Sequence, residues 1–182
     1  MAEPLVVAFV PGVTPGKWER VWRERRPPGR IDLRPMTQDA ALAALADGTA
    51  HMAIVRDIAA DEHRHAIALY REQPVVVAPR GSLVAGLDAV DLRDLEGETV
   101  LPVDLEGGTG EDAVELVAAN VGVVILPQSV ARALSRKDVV ARPLRDAPET
   151  GIALVWPVAR PHPNSDVFVG IVRGRTANSS RD

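Results

Sequence analysis

The stretch LVVAFVPGVTPGKWERVW, residues 5–22, decides the fold because it carries an apolar run through a Gly/Pro turn directly into a helical pattern. The run from Leu5 to Val10 has the length and the continuous hydrophobicity of a buried strand in a parallel sheet. Thr14 and Pro15 are the residue types of a helix N-cap and a first helical position. The stretch therefore predicts a strand–loop–helix unit.

The next segments repeat this order, starting with the helix that follows the turn. Its tryptophans and valine fall at i, i+3 and i+4, which gives one apolar face: Trp18, Val21 and Trp22. RIDLRPM is then predicted to be a strand, and HMAIV a buried strand. Between them, QDAALAALADG is predicted to be a helix that has its N-cap at Thr37 and ends at Gly48. Strand, helix, strand, helix, strand predicts right-handed crossovers and a mostly parallel sheet.

The second part of the chain continues as short apolar strands separated by helical patterns. The predicted strands are HAIALY, PVVVAP, TVLPV, VGVVILP, DVVARPL and GIALVWP, and VDLRDLEGE predicts a short helical turn. The predicted helices are EDAVELVAAN, ended by Asn120; VARALSRK, capped by Ser129; and a last helix between Asn164 and Gly174. The polar end RTANSSRD predicts a frayed tail.

The composition is that of a globular protein with an aliphatic core. Hydrophobic residues make up 46% and aromatic residues only 3% of the 182 residues, and there is no cysteine to form a disulfide or a thiolate metal site. The net charge is −4, whereas a protein that grips duplex DNA by itself usually has a basic balance. No segment has the pattern of a signal peptide or of a membrane span, so we expect no membrane partner and a cytoplasmic location.

The first turn does not match the phosphate-binding loop of nucleotide hydrolases. That loop needs four residues between its glycines, followed by Lys and a hydroxyl that reaches magnesium. Here only three residues separate Gly12 from Gly16, and Trp18 stands where the hydroxyl should be. The pattern therefore argues against nucleotide hydrolysis.

Polar residues at strand ends are the candidate binding residues, because open α/β sheets bind ligands at the carboxyl ends of their strands. Arg56 follows the strand HMAIV, and the alternative is a surface ion pair with Asp57 or Asp61. Lys17 lies one turn into the first helix, where it meets either an anion or only solvent. Weaker candidates follow two later strands: Gln128, Ser129, Asp104 and Thr109.

The sequence gives no pattern for a catalytic or metal site. The four histidines have no metal-ligand spacing, although His63 and His65 would share one face of a strand. No serine has the context of a nucleophile elbow. We therefore expect no catalytic residues, no metal and no cofactor.

The order of these segments resembles the effector-binding domain of LysR-type transcriptional regulators. The most specific part is ELVAANVGVVILPQSVA, which resembles the LVAAGxGxxLLPxS segment of that family with Asn120 at its first Gly. The resemblance covers the chain from about Leu5 to Val172 and also rests on LYREQPVVVAPRGSL and VDLRDLEGETVL. It implies the type 2 periplasmic-binding-protein fold, a two-lobed α/β fold in which each lobe is a mostly parallel sheet flanked by helices.

Two departures from the family pattern change what the resemblance implies. Family members begin with a winged helix-turn-helix, and the first strand here starts within a few residues of Met1, so we expect no direct binding to specific DNA. The short stretch DLEGGTG, Asp104 to Gly110, stands where the family has an extra helix and strand. Those elements help form the family's head-to-tail dimer, so a homodimer and a heteromer with a full-length regulator both stay open.

The resemblance further implies two lobes joined by two hinge strands. Lobe I would be residues 1–76 and 148–182, lobe II would be residues 77–147, and a ligand would lie in the cleft between them. The implied ligand-binding residues are Gly12, Val13, Thr14, Lys17, Arg56, Gln128 and Ser129. Arg56, Lys17 and the N-termini of helices favour a small anion such as a carboxylate.

These inferences predict a LysR-type effector-binding domain that is not an enzyme and regulates transcription through another protein. Trp18 and Trp22 are most simply core or interface residues; as an exposed pair they would form a partner surface, and pairing with a full-length regulator through their helix is one route to regulation. An enzyme on the same fold, such as a dehydratase, is a rival; its nearest trace is IVRDI, where Val55 replaces a motif Thr. A domain that only contacts partners and binds no ligand is a third reading.

Overall fold

The computed structural model describes residues 3–174, which form two compact units. Unit 1 contains the described residues up to Tyr70 and from Gly151 onwards, and unit 2 contains residues 71–150. The frayed tail predicted for RTANSSRD lies outside the described residues. None of the helices in residues 3–174 has the length and apolarity that crossing a bilayer requires.

Unit 1 is a five-stranded sheet with helices packed against it. Its elements are β1 (Leu5–Phe9), α1 (Gly16–Arg25), β2 (Ile31–Pro35), α2 (Gln38–Asp47), β3 (Met52–Arg56), β4 (Arg64–Glu72), β8 (Thr150–Pro157) and α5 (Ser165–Val172). The strand order is β2-β1-β3-β8-β4. β1 pairs in parallel with β2 and β3, as the alternation of strands and helices predicted, whereas β8 runs antiparallel to β3.

The core of unit 1 is aliphatic but is completed by the aromatic face of α1. Trp18 and Trp22 are 6% and 2% exposed, and the Trp22 ring meets the ring of Phe168 on α5 edge-on, with 6.2 Å between the ring centroids. The reading of these tryptophans as core residues is therefore confirmed, and the alternative of an exposed partner surface is wrong. The i, i+4 spacing that places both on one helix face serves the packing of α1 against α5 and the sheet.

Unit 2 is built around one strand that is buried on both faces. Its elements are β5 (Pro74–Pro79), two 3₁₀ turns (Val84–Gly86 and Leu92–Leu95), α3 (Glu111–Ala118), β6 (Val124–Pro127), α4 (Gln128–Ala133) and β7 (Val139–Pro143). Alternate residues of β5 point to opposite faces, so Val75 and Val77 join the cluster under α3 and α4, and Val76 and Ala78 join the cluster under the 3₁₀ turns.

The two-lobed α/β class agrees with this architecture, but the sheet of unit 2 corrects one detail. Both β6 and β7 run antiparallel to β5, whereas a mostly parallel sheet was expected in each lobe. TVLPV, predicted as a strand, forms only a single parallel bridge between Val100 and Val123. This bridge requires glycine next to it, because a Cβ on Gly122 would lie 2.2 Å from the carbonyl oxygen of Thr99.

The helix ends follow some of the predicted caps and correct others. Thr37 accepts a hydrogen bond from the Ala40 N–H (3.4 Å), and Gly48 and Asn120 adopt the predicted left-handed conformation. α1 and α4 begin differently from the prediction, because prolines precede them: Pro15 and Pro127 hold the N-cap positions, and neither Thr14 nor Ser129 does. Asn164 is at the N-cap of α5, but its side chain donates to the Pro28 carbonyl and does not cap the helix.

We expect Trp22→Ala to lower the free energy of unfolding by about 3–5 kcal/mol, because it removes a buried aromatic side chain and leaves a cavity. Leu83→Ala is the matched control, since Leu83 is 89% exposed and such a surface change should stay within about 0.5 kcal/mol. Urea unfolding of both variants measures the difference. Equal stability of the two variants would contradict the core position of Trp22.

Candidate functional site

The candidate site of unit 1 lies at the carboxyl ends of β1 and β3. Because these strands are parallel neighbours, the loops that follow them leave from the same edge of the sheet. Two backbone hydrogen bonds continue the sheet into this edge: the Val10 N–H donates to the Ile54 carbonyl (3.1 Å), and the Met36 N–H donates to the Phe9 carbonyl (3.1 Å). The ends of three strands are thus held together beside the loop of residues 11–15.

Arg56, the last residue of β3, is a buried cation at this edge. Only 6% of the residue is exposed, and Nη2 of its guanidinium donates to the Pro11 carbonyl at 2.6 Å. Its backbone N–H donates to Oε1 of Gln38 at 2.8 Å. A buried charge is retained only where polar groups surround it, and the hydrogen bond to the Pro11 carbonyl lets this arginine fix the first loop.

The alternative of an ion pair at the surface does not agree with the burial of Arg56, and the two residues predicted as its partners each make another contact. Asp57 accepts a hydrogen bond from the Gly151 N–H (2.7 Å). Asp61 pairs with Arg64 at 2.7 Å, and the Arg64 side chain lowers the pKa of Asp61 to about 2.

The first loop brings Gly12, Val13 and Thr14 to the same edge. Gly12 has a φ of 88°, a left-handed conformation that glycine adopts without the steric cost of a Cβ. The turn is closed by a hydrogen bond from the Val13 N–H to the Val10 carbonyl (3.2 Å), with the Val13 side chain buried. Thr14 is exposed beyond it, which leaves its hydroxyl accessible to a ligand.

The N-terminus of α1 follows this loop and offers backbone donors. The Pro15 carbonyl accepts the N–H groups of Trp18 and Glu19, whereas no hydrogen bond of the Gly16 or Lys17 N–H is seen within residues 3–174. Free N–H groups and the positive end of the helix dipole favour an anion there. The exposed ammonium group of Lys17 lies 4.7 Å from the centre of the Trp18 ring, a cation–π contact at the same helix end.

The two remaining predicted residues are in unit 2. Gln128 and Ser129 begin α4 directly after β6, and the Gln128 backbone N–H donates to the Gln73 carbonyl (3.1 Å). The Gln128 residue is exposed and Ser129 is half-buried. Both residues therefore lie in the first turn of α4, directly after Pro127.

Gln38 is the site residue that the sequence reasoning missed. It opens α2, is 8% exposed, and holds the backbone of Arg56 through its amide oxygen. The rule that led to Arg56 would also have found it, because Gln38 follows β2, a parallel neighbour of β1, at the same edge. The weaker candidates have local roles: Asp104 accepts the N–H groups of Glu106 and Gly107, and Thr109 accepts that of Glu111.

A second polar cluster lies near the other ends of β1 and β3. It contains His51, His162 and Glu3, and a ring nitrogen of each histidine and a carboxylate oxygen lie within 4.8 Å of one another. The centroids of the two rings are 4.5 Å apart, and Nε2 of His51 is 3.6 Å from Oε1 of Glu3. The histidine pair predicted to share a strand face is not part of this contact: His65 packs on Trp156, and His63 lies beside Glu62.

The hydrogen bonds at Nδ1 decide what this cluster can bind. The Val6 N–H donates to Nδ1 of His51 (3.0 Å), and the Asn164 N–H donates to Nδ1 of His162 (3.1 Å). Both rings therefore carry their proton on Nε2 in the neutral form. A metal ion needs a lone pair that Nε2 does not have in this tautomer, so the three side chains as arranged are suited to a hydrogen-bond acceptor and not to a metal.

A family model described as the LysR substrate binding domain matches two segments of the chain, residues 16–109 and 100–177. The two segments meet at residues 100–109, which contain most of the short stretch DLEGGTG. Comparison with curated proteins found no match.

Several solved structures share the fold at low sequence identity. A mutant OxyR regulatory domain from Pseudomonas aeruginosa is 17% identical, with a TM-score of 0.75 over 95% of this chain and 97% of that chain. The BenM effector binding domain with its effector benzoate is 19% identical, with a TM-score of 0.76 over 96% and 92%. Full-length CbnR complexed with its target DNA is 20% identical, with a TM-score of 0.72 over 95% and 70%.

We expect acid to destabilise the chain through His162, since burial first and His51 second lower the pKa of His162, against a weaker opposite effect of Glu3. The unfolded chain then binds this proton at a higher pH than the folded chain does. The contribution of His162 to the free energy of unfolding is therefore fully present above the ordinary histidine pKa and is lost as the pH falls below it. Urea unfolding at about pH 7 and about pH 5 should show a smaller loss in His162→Gln than in the wild type. An equal loss in the two proteins, with His65→Gln as control, would contradict this assignment.

Proposed function

The chain belongs to the LysR substrate-binding domain family, and we propose that it binds a small carboxylate effector at the carboxyl edge of the unit 1 sheet. Arg56 carries this proposal: its buried guanidinium holds the Pro11 carbonyl and thereby shapes the loop that leads into α1. The BenM effector binding domain was solved with benzoate, itself a carboxylate. That ligand class fits a site of cationic character beside a helix N-terminus.

The residues at this edge of the sheet have different roles in the proposed binding. The N–H groups of Gly16 and Lys17 and the exposed Thr14 hydroxyl supply donors for the carboxylate, while Gly12 and Val13 set the loop that carries them. Lys17 adds a positive charge at the same helix end, and Arg56 acts behind the loop. Gln128 and Ser129, at the start of α4 in unit 2, stay a prediction of the sequence.

This proposal describes a binding domain and not an enzyme. The edge offers a cation, backbone donors and a hydroxyl, which are groups that bind an anion. Native mass spectrometry of the purified chain separates the readings: a noncovalent adduct of constant mass supports an effector, and a ligand that changes mass on incubation supports an enzyme. A domain that only contacts partners would show neither.

We expect benzoate, acetate or a related carboxylate to raise the melting temperature in the wild type, and Thr14→Val to weaken that binding about tenfold, since it removes one hydrogen bond to a charged group. Thr14→Ser is the matched control, because it keeps the hydroxyl and should bind nearly as the wild type does. Thr14 is exposed, so neither variant should disturb the fold. If Thr14→Val binds a carboxylate as tightly as Thr14→Ser does, the loop is not the site.

Regulation of transcription through another protein is the second part of the proposal. The net charge of −4 gives the chain no general attraction for DNA, whose binding depends on neutralising phosphates. The buried tryptophans of α1 are not available as the contact surface, so a partner would use a different face. The cytoplasmic location predicted from the sequence belongs to the same proposal.

We expect the purified chain alone to give no sequence-specific gel shift with upstream DNA of its own genome, at physiological salt and with or without a carboxylate. A shift should appear only when a full-length regulator is added, and it should then change with the added chain. A specific shift by the chain alone would contradict regulation through a partner.

A further inference from the structure

We propose that unit 1 has a second ligand site, in which Nε2–H of His51 and of His162 bind an oxyanion, a carboxylate or a phosphate group. The two rings line a cavity of about 620 Å³ between the start of β1, the end of α2 and the loop before α5. This is ample room for a small anion together with water. The inference goes beyond the proposed effector site and does not depend on it.

His162 is the residue that points to a ligand. Only 7% of it is exposed, and its buried Nε2 has no hydrogen-bond partner of normal geometry within the described residues, although a weak contact with the Glu3 backbone acts on its pKa. Because Nδ1 accepts the Asn164 N–H, Nε2 is a donor. Buried donors in native proteins are nearly always satisfied, so a buried donor that has only a weak contact at the wall of a cavity calls for a better acceptor.

His51 supplies the second donor, and its ring is held rigidly for that purpose. Its backbone N–H donates to the Val6 carbonyl (3.0 Å), while its Nδ1 accepts the Val6 N–H (3.0 Å). These two hydrogen bonds to one residue of β1 fix the direction in which Nε2 of His51 points. A ring nitrogen of each histidine and a carboxylate oxygen of Glu3 lie within 4.8 Å of one another, so one oxyanion is able to reach both rings.

Glu3 now occupies the place of the oxyanion, but loosely. Its Oε1 is 3.6 Å from Nε2 of His51, beyond hydrogen-bond distance, and its side chain is 73% exposed. A carboxylate of the chain itself thus shows which chemistry the two rings attract. A free carboxylate or phosphate that fits both donors would displace it.

The remaining charges around the cavity leave room for an anion. Arg160 and His63 line it as cationic or ionisable groups. The carboxylate of Asp47 also lines it, but this group is turned to Thr49, whose N–H (2.8 Å) and hydroxyl (2.6 Å) both donate to it. Besides Glu3 and the histidines, the cavity is thus lined by one arginine and one carboxylate that is already hydrogen-bonded.

This cavity is distinct from the candidate effector site within unit 1. His51 immediately precedes β3 and Arg56 ends it, and Val6 is the second residue of β1 while Pro11 follows that strand. The two sites therefore lie at opposite ends of the same pair of parallel strands.

The test is a titration of the ¹⁵N-histidine-labelled chain with inorganic phosphate and, separately, with acetate, at constant pH and with chloride replaced at equal ionic strength. Long-range ¹H–¹⁵N spectra report each ring on its own. We expect the His51 and His162 signals to shift together with one dissociation constant, while those of His65 stay unchanged. The stronger of the two probes identifies a phosphate or a carboxylate ligand.

Two matched pairs of variants make the result decisive. His162→Asn keeps an acceptor at the δ position but loses the ε donor, and should weaken binding about tenfold or more; His162→Gln keeps an ε donor and should retain most of it. Glu3→Ala, an exposed change, should tighten binding by removing the competing carboxylate, with Glu3→Gln between it and the wild type. Unchanged histidine signals with both probes, equal binding by the two His162 variants, or weaker binding by Glu3→Ala would each overturn the proposal.

Discussion

The parallel pairing of β1 with β3 is the constraint on which both sites of unit 1 depend. The register places Val7 against Met52 and Phe9 against Ile54, and its continuation beyond the paired residues sets Val6 beside His51 and Pro11 beside Arg56. At their carboxyl ends this brings the Pro11 carbonyl to the guanidinium of Arg56, and at their amino ends it brings Val6 to the ring of His51. A shift of β1 by one residue relative to β3 would turn the side chains of the shifted strand to the other face of the sheet, and both contacts would be lost.

Both ends of this strand pair use buried polar groups that the backbone holds in place. Arg56 is fixed by a carbonyl of the first loop and by Gln38, and the two histidines are fixed by backbone N–H groups at Nδ1. Such bonds offset the cost of burying polar atoms and also fix the direction of the atoms that face a ligand. The first end thereby presents cationic character and helix donors, and the second presents two ring N–H donors.

Local pattern explains which elements the sequence predicts well. Thr37, Gly48 and Asn120 act within one helical turn, and their roles at helix ends were confirmed. The β1–α1 unit and the position of Arg56 at a strand end also follow from local order. The predictions of Thr14 and Ser129 as caps were wrong, because a neighbouring proline holds the N-cap position in each case. The prediction of TVLPV as a strand was wrong, because this segment forms only one bridge, next to Gly122.

The sequence by itself determined the α/β class, the family resemblance and the edge of the sheet that carries Arg56. These features depend on the order of strands and helices and on the residue types at their ends, which can be read directly from the sequence. Only the tertiary structure decided that Trp18 and Trp22 are core, that β6 and β7 run antiparallel to β5, and that His51 meets His162. The reason is distance along the chain: contacts between residues far apart in sequence depend on how whole strands pair and pack, and no local spacing records that choice.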